Sequence, residues 1–125
     1  MAANKILNIQ PIALTATLTT NILNCGVTSL AGPIGLTVGQ PYMILRHIRI
    51  SNKTAGAVTF SLWKGATAGN VAGTEIIGTG ISVPANTGVD YYGIWRFDSG
   101  DFLVGGAGSA TSLTFTADGE IGISG

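Results

Sequence analysis

Charge is what this chain has least of. Charged residues make up 10% of its 125 positions, against roughly 25% in an ordinary soluble domain. Six basic and six acidic side chains cancel. A neutral chain has no broad basic surface for a phosphate backbone, which excludes a nucleic-acid coat. It also has no polybasic segment for an electrostatic membrane anchor. No run of about twenty apolar residues is present, so no helix is expected to cross a bilayer. The opening MAANKILNIQ has no apolar signal core followed by a cleavage site, which argues against secretion by that route. Cysteine occurs once, as Cys25. An intrachain disulfide is therefore excluded, and synthesis in a reducing cytoplasm is expected.

What the chain does have is glycine, threonine and alternation. The length suits one domain that buries roughly two-thirds of its unfolded surface, with no need for a metal or disulfide to fold. The stretch Tyr42–Lys64 carries the clearest pattern. Ile44, Ile48 and Ile50 share one face of Tyr42–Ser51, with Leu45, His47 and Arg49 opposite. Val58, Phe60 and Leu62 share a face of Ala57–Lys64. Period-two alternation of branched and aromatic residues marks half-buried strands. The linking Asn52–Gly56 suits an antiparallel hairpin.

Met1–Gln10 reads as an N-terminal arm, and residues 11–125 as a single domain. Ile12–Thr19 alternates as a strand with a Thr-rich face. Asn21–Gln40 reads as a long loop, and such loops are often contact loops. Gly65–Gly73 is a connection of small residues ahead of a strand in Ile76–Val83. Pro84–Gly88 is a turn. Val89–Phe97 is the most aromatic strand, with Val89, Tyr91, Trp95 and Phe97 on one side and Asp90, Tyr92, Ile94 and Arg96 on the other. Asp98–Asp101 is a tight turn, Phe102–Val104 a short strand, and Gly105–Ala110 a flexible connection. Ser112–Ala117 directs Leu113 and Phe115 inward, Asp118–Gly119 signals a two-residue hairpin, and Glu120–Ser124 ends the chain. About eight strands, turns every 8–12 residues and no helix predict an all-β antiparallel sandwich of jelly-roll type.

Chemistry is sparse. His47 is the only histidine, so zinc binding is not expected. A triad of Ser61, His47 and Asp90 lacks the nucleophile elbow. Asp98 and Asp101 suit a cation site, a general acid–base pair or turn capping, and capping is the commonest use. The glycine clusters lack the Lys-Ser/Thr ending of a phosphate loop. Arg46, Arg49, Lys53 and Lys64 form a basic patch that either meets an acidic neighbour or solvates a strand. Arg46 shares parity with isoleucines and needs either a carboxylate, with Asp90 and Asp98 as candidates, or a strand end where it reaches water. Tyr91 and Trp95 are expected in the core, with Trp63 and Tyr92 as the exposed aromatic pair. No catalytic residue, metal or cofactor is expected.

The segments ILRHIRISNKTAGAVTFSLWKGAT, SVPANTGVDYYGIW and FDSGDFLVGGAGSATSLTFTADGEIGI resemble small β-sandwich virion proteins of tailed bacteriophages. The likeness covers Tyr42–Ile123 and lies in the order of the turn signals. It implies a capsid decoration, or cement, protein on the virion, made in the host cytoplasm. Its implied partners are the major capsid protein and copies of itself as a homotrimer. Low charge agrees with a surface buried in an assembly, because interface cores are depleted in charge. The expected contact residues are Ile6, Leu7 and Ile9 of the arm, Leu30, Ile34 and Leu36 of the long loop, and Trp63 and Tyr92. Other positions and classes stay open: a tail, head–tail junction or receptor-binding protein, or a carbohydrate-binding module.

Overall fold

In a computed structural model the chain is described over residues 5–24, 40–66, 69–98 and 100–124. These residues form eight strands and no helix: β1 (Lys5–Ala13), β2 (Asn21–Asn24), β3 (Gln40–Asn52), β4 (Val58–Gly65), β5 (Ile81–Val83), β6 (Gly88–Asp98), β7 (Phe102–Ala107) and β8 (Leu113–Ser124). One sheet runs β1-β8-β3-β6 and the other β2-β7-β4-β5. The nested antiparallel pairs are β1 with β8, β2 with β7, β3 with β6 and β4 with β5. That nesting is a folded ribbon wrapped across two layers, which is a jelly roll.

The core lies between the layers. Met43, Leu45, Ile48 and Ile50 from β3 are buried with Phe60 and Leu62 from β4, Phe97 from β6, Leu103 from β7, and Leu113 and Phe115 from β8. Each such side chain contributes about 1.5–3 kcal/mol when fully buried. On β6, Val89, Tyr91 and Trp95 pack against this cluster and Phe97 lies within it.

Several local expectations need correction. Tyr42–Lys64 is not a hairpin, because β3 pairs with β6 and β8 while β4 pairs with β5 and β7. The turn crosses from one layer to the other, about 10 Å. Both strands are apolar on one face, and those faces cover each other across the core. The alternation of β3 also breaks. Its register shifts between Leu45 and His47 against both neighbours. Leu45, expected outward, is therefore buried, and Ile44 is only half-buried.

From Lys5 onward the expected arm is β1, an edge strand on β8. Pro11 sits where the β1 register shifts, a place where a missing N–H is tolerated. The strand expected over Ile12–Thr19 ends at Ala13. Leu14 then turns inward, and Thr15 and Thr20 join their hydroxyls at 2.6 Å. Of Ile76–Val83 only Ile81–Val83 is strand. Ile77 takes φ 69° and Gly80 φ 61°, which breaks the extended run. Gly105–Ala107 belong to β7, and Gly105 and Gly106 are buried. Asp118–Gly119 is no turn but the middle of β8. Most of Asn21–Gln40 lies outside the described residues, apart from its ends in β2 and β3.

Candidate functional site

The outward face of the β1-β8-β3-β6 sheet holds Arg46, Arg49, Arg96, Asp90, Asp98, Asp118 and Glu120. That is more than half of all the charged residues in the chain. Strand register sets them in rows. Asn8, Asp118, His47 and Tyr92 lie side by side across the four strands. Ile6, Glu120, Ile44 and Arg96 form another row, and Thr116, Arg49 and Asp90 a third.

His47 is the centre. Its outward aim follows from the register shift, which places Arg46 and His47 on the same side. Nε2 lies 2.8 Å from Asp90 Oδ1, and Nδ1 lies 3.2 Å from Asp118 Oδ2. Two carboxylates facing two ring nitrogens call for the imidazolium, in which both nitrogens donate. The Tyr92 ring stacks on the imidazole at 4.8 Å. Arg49 Nη1 donates to Asp90 Oδ2 at 2.7 Å. The bond to Asp90 raises the His47 pKa above the ordinary 6.5, partial burial opposes it, and Asp118 adds to the rise. The Asp90 pKa is lowered, first by His47 and then by Arg49. Burial raises the Tyr91 phenol.

The other charges close on themselves. Arg46 pairs with Glu120 at 2.5 Å, where Asp90 or Asp98 had been expected. Arg96 pairs with Asp98 at 2.9 Å and lies over the Tyr42 ring at 4.5 Å. The basic patch expected near β3 and β4 is thus largely neutralised, since Lys64 also approaches Asp101 at 3.8 Å. Asp101 caps the Asp98 N–H at 2.9 Å, which is the turn-capping use. Ser61 sits on the opposite sheet, buried, its Oγ accepting the Gly80 N–H at 2.9 Å. A triad of Ser61, His47 and Asp90 does not assemble. Among the described residues no three of His, Cys, Asp and Glu are grouped to hold a metal ion.

Of the expected contact residues, Leu7, Ile9 and Trp63 are buried and cannot meet a partner. Leu7 and Ile9 supply the core side of an edge strand, and Trp63 pairs across the sheet with buried Val104. Leu30, Ile34 and Leu36 lie outside the described residues. Ile6 is 92% exposed and Tyr92 76%, on opposite edges of one sheet face. Ile94, 71% exposed, was not singled out as a contact residue. Its parity with Asp90 and Arg96 was the available signal. Asp118 was missed because Asp-Gly suggested a turn.

No protein-family model matches this chain, and no curated protein matches it. A cleft of about 260 Å³ lies on the outer side of the second sheet, between Ala16, Leu18, Thr59, Ser61 and Gly108. None of its lining residues titrates. The site with the most chemistry is therefore the His47 face, whose polar groups are spent on one another.

Proposed function

We propose that this chain is a structural virion protein of a tailed bacteriophage, a decoration protein held on the outside of the head. The observation that supports this reading is one sheet face on which the ion pairs are internally closed while Ile6, Tyr92 and Ile94 stand exposed. A face of that kind can be covered by a neighbour without stranding a lone charge. The jelly roll supplies a stiff frame, and many copies on a shell let each contact be modest. The partners are the major capsid protein and further copies of the chain. No reaction is assigned to it.

Cryo-electron microscopy of the parent particle tests the proposal. Density for this sandwich on the shell is the expected result, and its absence from every part of the head overturns it. A carbohydrate-binding role is the second reading, because the Tyr92 ring is exposed beside Asp90 and Asp118. An aromatic face next to carboxylates suits a sugar ring. Glycan-array binding lost in Tyr92→Ala would favour that reading over decoration.

A further inference from the structure

We infer that β6 is a homodimer edge: two copies join antiparallel along this strand, about a two-fold axis at Gly93, merging two four-stranded sheets into one of eight. The observations are the state of the sheet edges and the order of residues along one of them.

A free edge offers unpaired N–H and C=O groups to any passing strand, and proteins normally blunt it. Two of the four edges are blunted: β1 carries Pro11, and β5 has 3 residues. β6 has 11 residues and no proline; its register shifts against β3 between Tyr92 and Trp95, and the in–out alternation of Val89–Phe97 runs unbroken through that shift. Among the described residues it is paired on one side only, with β3.

The sequence of β6 is complementary to its own reverse. Centred on Gly93, an antiparallel pairing sets Asp90 opposite Arg96 of the second copy, and Tyr92 opposite Ile94. On the other face Tyr91 meets Trp95, and Val89 meets Phe97. Opposite charges and aromatic–aliphatic pairs are the favourable cross-strand combinations. An isologous interface makes each pair twice. Tyr92 and Ile94, the two large apolar side chains most exposed on this strand, would then form one cluster of four at the axis. Gly93 at the centre suits the close crossing. A Cβ there would already lie 2.9 Å from the Trp95 ring.

This contact does not depend on the virion reading. It also differs from the trimer that the phage likeness implies, so mass separates the two. Light scattering of the purified full chain is expected to give twice the 12.7 kDa of one copy. Ile94→Lys and Arg96→Glu should each give monomers with circular dichroism unchanged. Either variant that keeps its fold decides the matter. Register is read by cysteine pairing in a Cys25→Ser background. Ile94→Cys mixed with Tyr92→Cys should cross-link on mild oxidation, and neither should do so alone. A monomeric or trimeric parent, a dimer indifferent to both charge variants, or cross-linking that ignores the 92–94 register overturns the inference.

Discussion

At Asn52 one side chain decides where the chain leaves a sheet. It is 3% exposed and fully engaged. Its Nδ2 donates to the carbonyls of Gly56 and Val83 at 2.9 and 3.0 Å, and its Oδ1 accepts from the Thr54 N–H and hydroxyl at 2.9 and 2.7 Å. Those bonds replace water for the backbone at the crossing between layers. Replacing it with Leu leaves the buried Val83 carbonyl and the half-buried Thr54 N–H without their partner, so Asn52→Leu should cost about 1–3 kcal/mol in urea unfolding. His47 acts at the same scale but through pH. Its folded pKa is raised, so the stability it contributes is full below the unfolded value near 6.5. That contribution fades as pH rises through the folded pKa. Asp90 has the opposite sign: its contribution is present above the unfolded carboxyl value and is lost as pH falls through the lowered one. Stability should therefore peak between these two titrations. His47→Gln should flatten the alkaline side of the curve. With a single histidine in the chain, its NMR titration reads the raised pKa directly.

Among the elements, β8 makes the strongest demand on sequence. A Cβ at Gly119 would lie within 1.9 Å of the Ile44 carbonyl oxygen and 3.0 Å of Leu45 Cα. The close approach falls at the register shift that turns Leu45 inward and His47 outward. Gly119→Ala should therefore cost more than about 2 kcal/mol and disturb the β3–β8 ladder. Gly56→Ala, where nothing lies within 4 Å, should be neutral within about 0.5 kcal/mol. The contrast is measured by denaturant midpoints of the two variants. Gly119 also shows why parts of the fold were hidden in the sequence. Asp-Gly is a hairpin signal only when its flanks pair with each other. Here Leu113–Ser124 is flanked by β1 and β3 along its length, and no local pattern reports that. The faces of β6, with the alternation of Val89–Phe97, were legible because that strand keeps its period throughout. β3 was half legible: the faces of His47, Ile48, Arg49 and Ile50 were readable from their alternation, while Ile44 and Leu45, on the other side of the shift, are reversed. The His47 cluster was hidden for a different reason: its members come from three strands, β3, β6 and β8. Their meeting is a consequence of register rather than of spacing along the chain.

For the whole molecule, the nesting of pairs places the first and last strands side by side. β8 lies between β1 and β3 and supplies Leu113, Phe115, Ala117 and Ile121 to the core. The central pair β3 and β8 cannot form until the chain is nearly complete, and closing such long loops is slow. Refolding should accordingly take milliseconds to seconds by stopped-flow fluorescence of Trp63 and Trp95, the slow end for a chain of this size. The same geometry sets an order of local stability. Amides of β3 and β8 are shielded on both sides by neighbouring strands, so they should exchange only by global opening. The three residues of β5 and the part of β1 beyond Pro11 should exchange earlier, by local fraying of edges. Hydrogen-exchange mass spectrometry resolves these segments. Uniform protection across all eight strands would mean that the edges are covered in solution. Early exchange in β3 or β8 would contradict their place at the centre of the sheet.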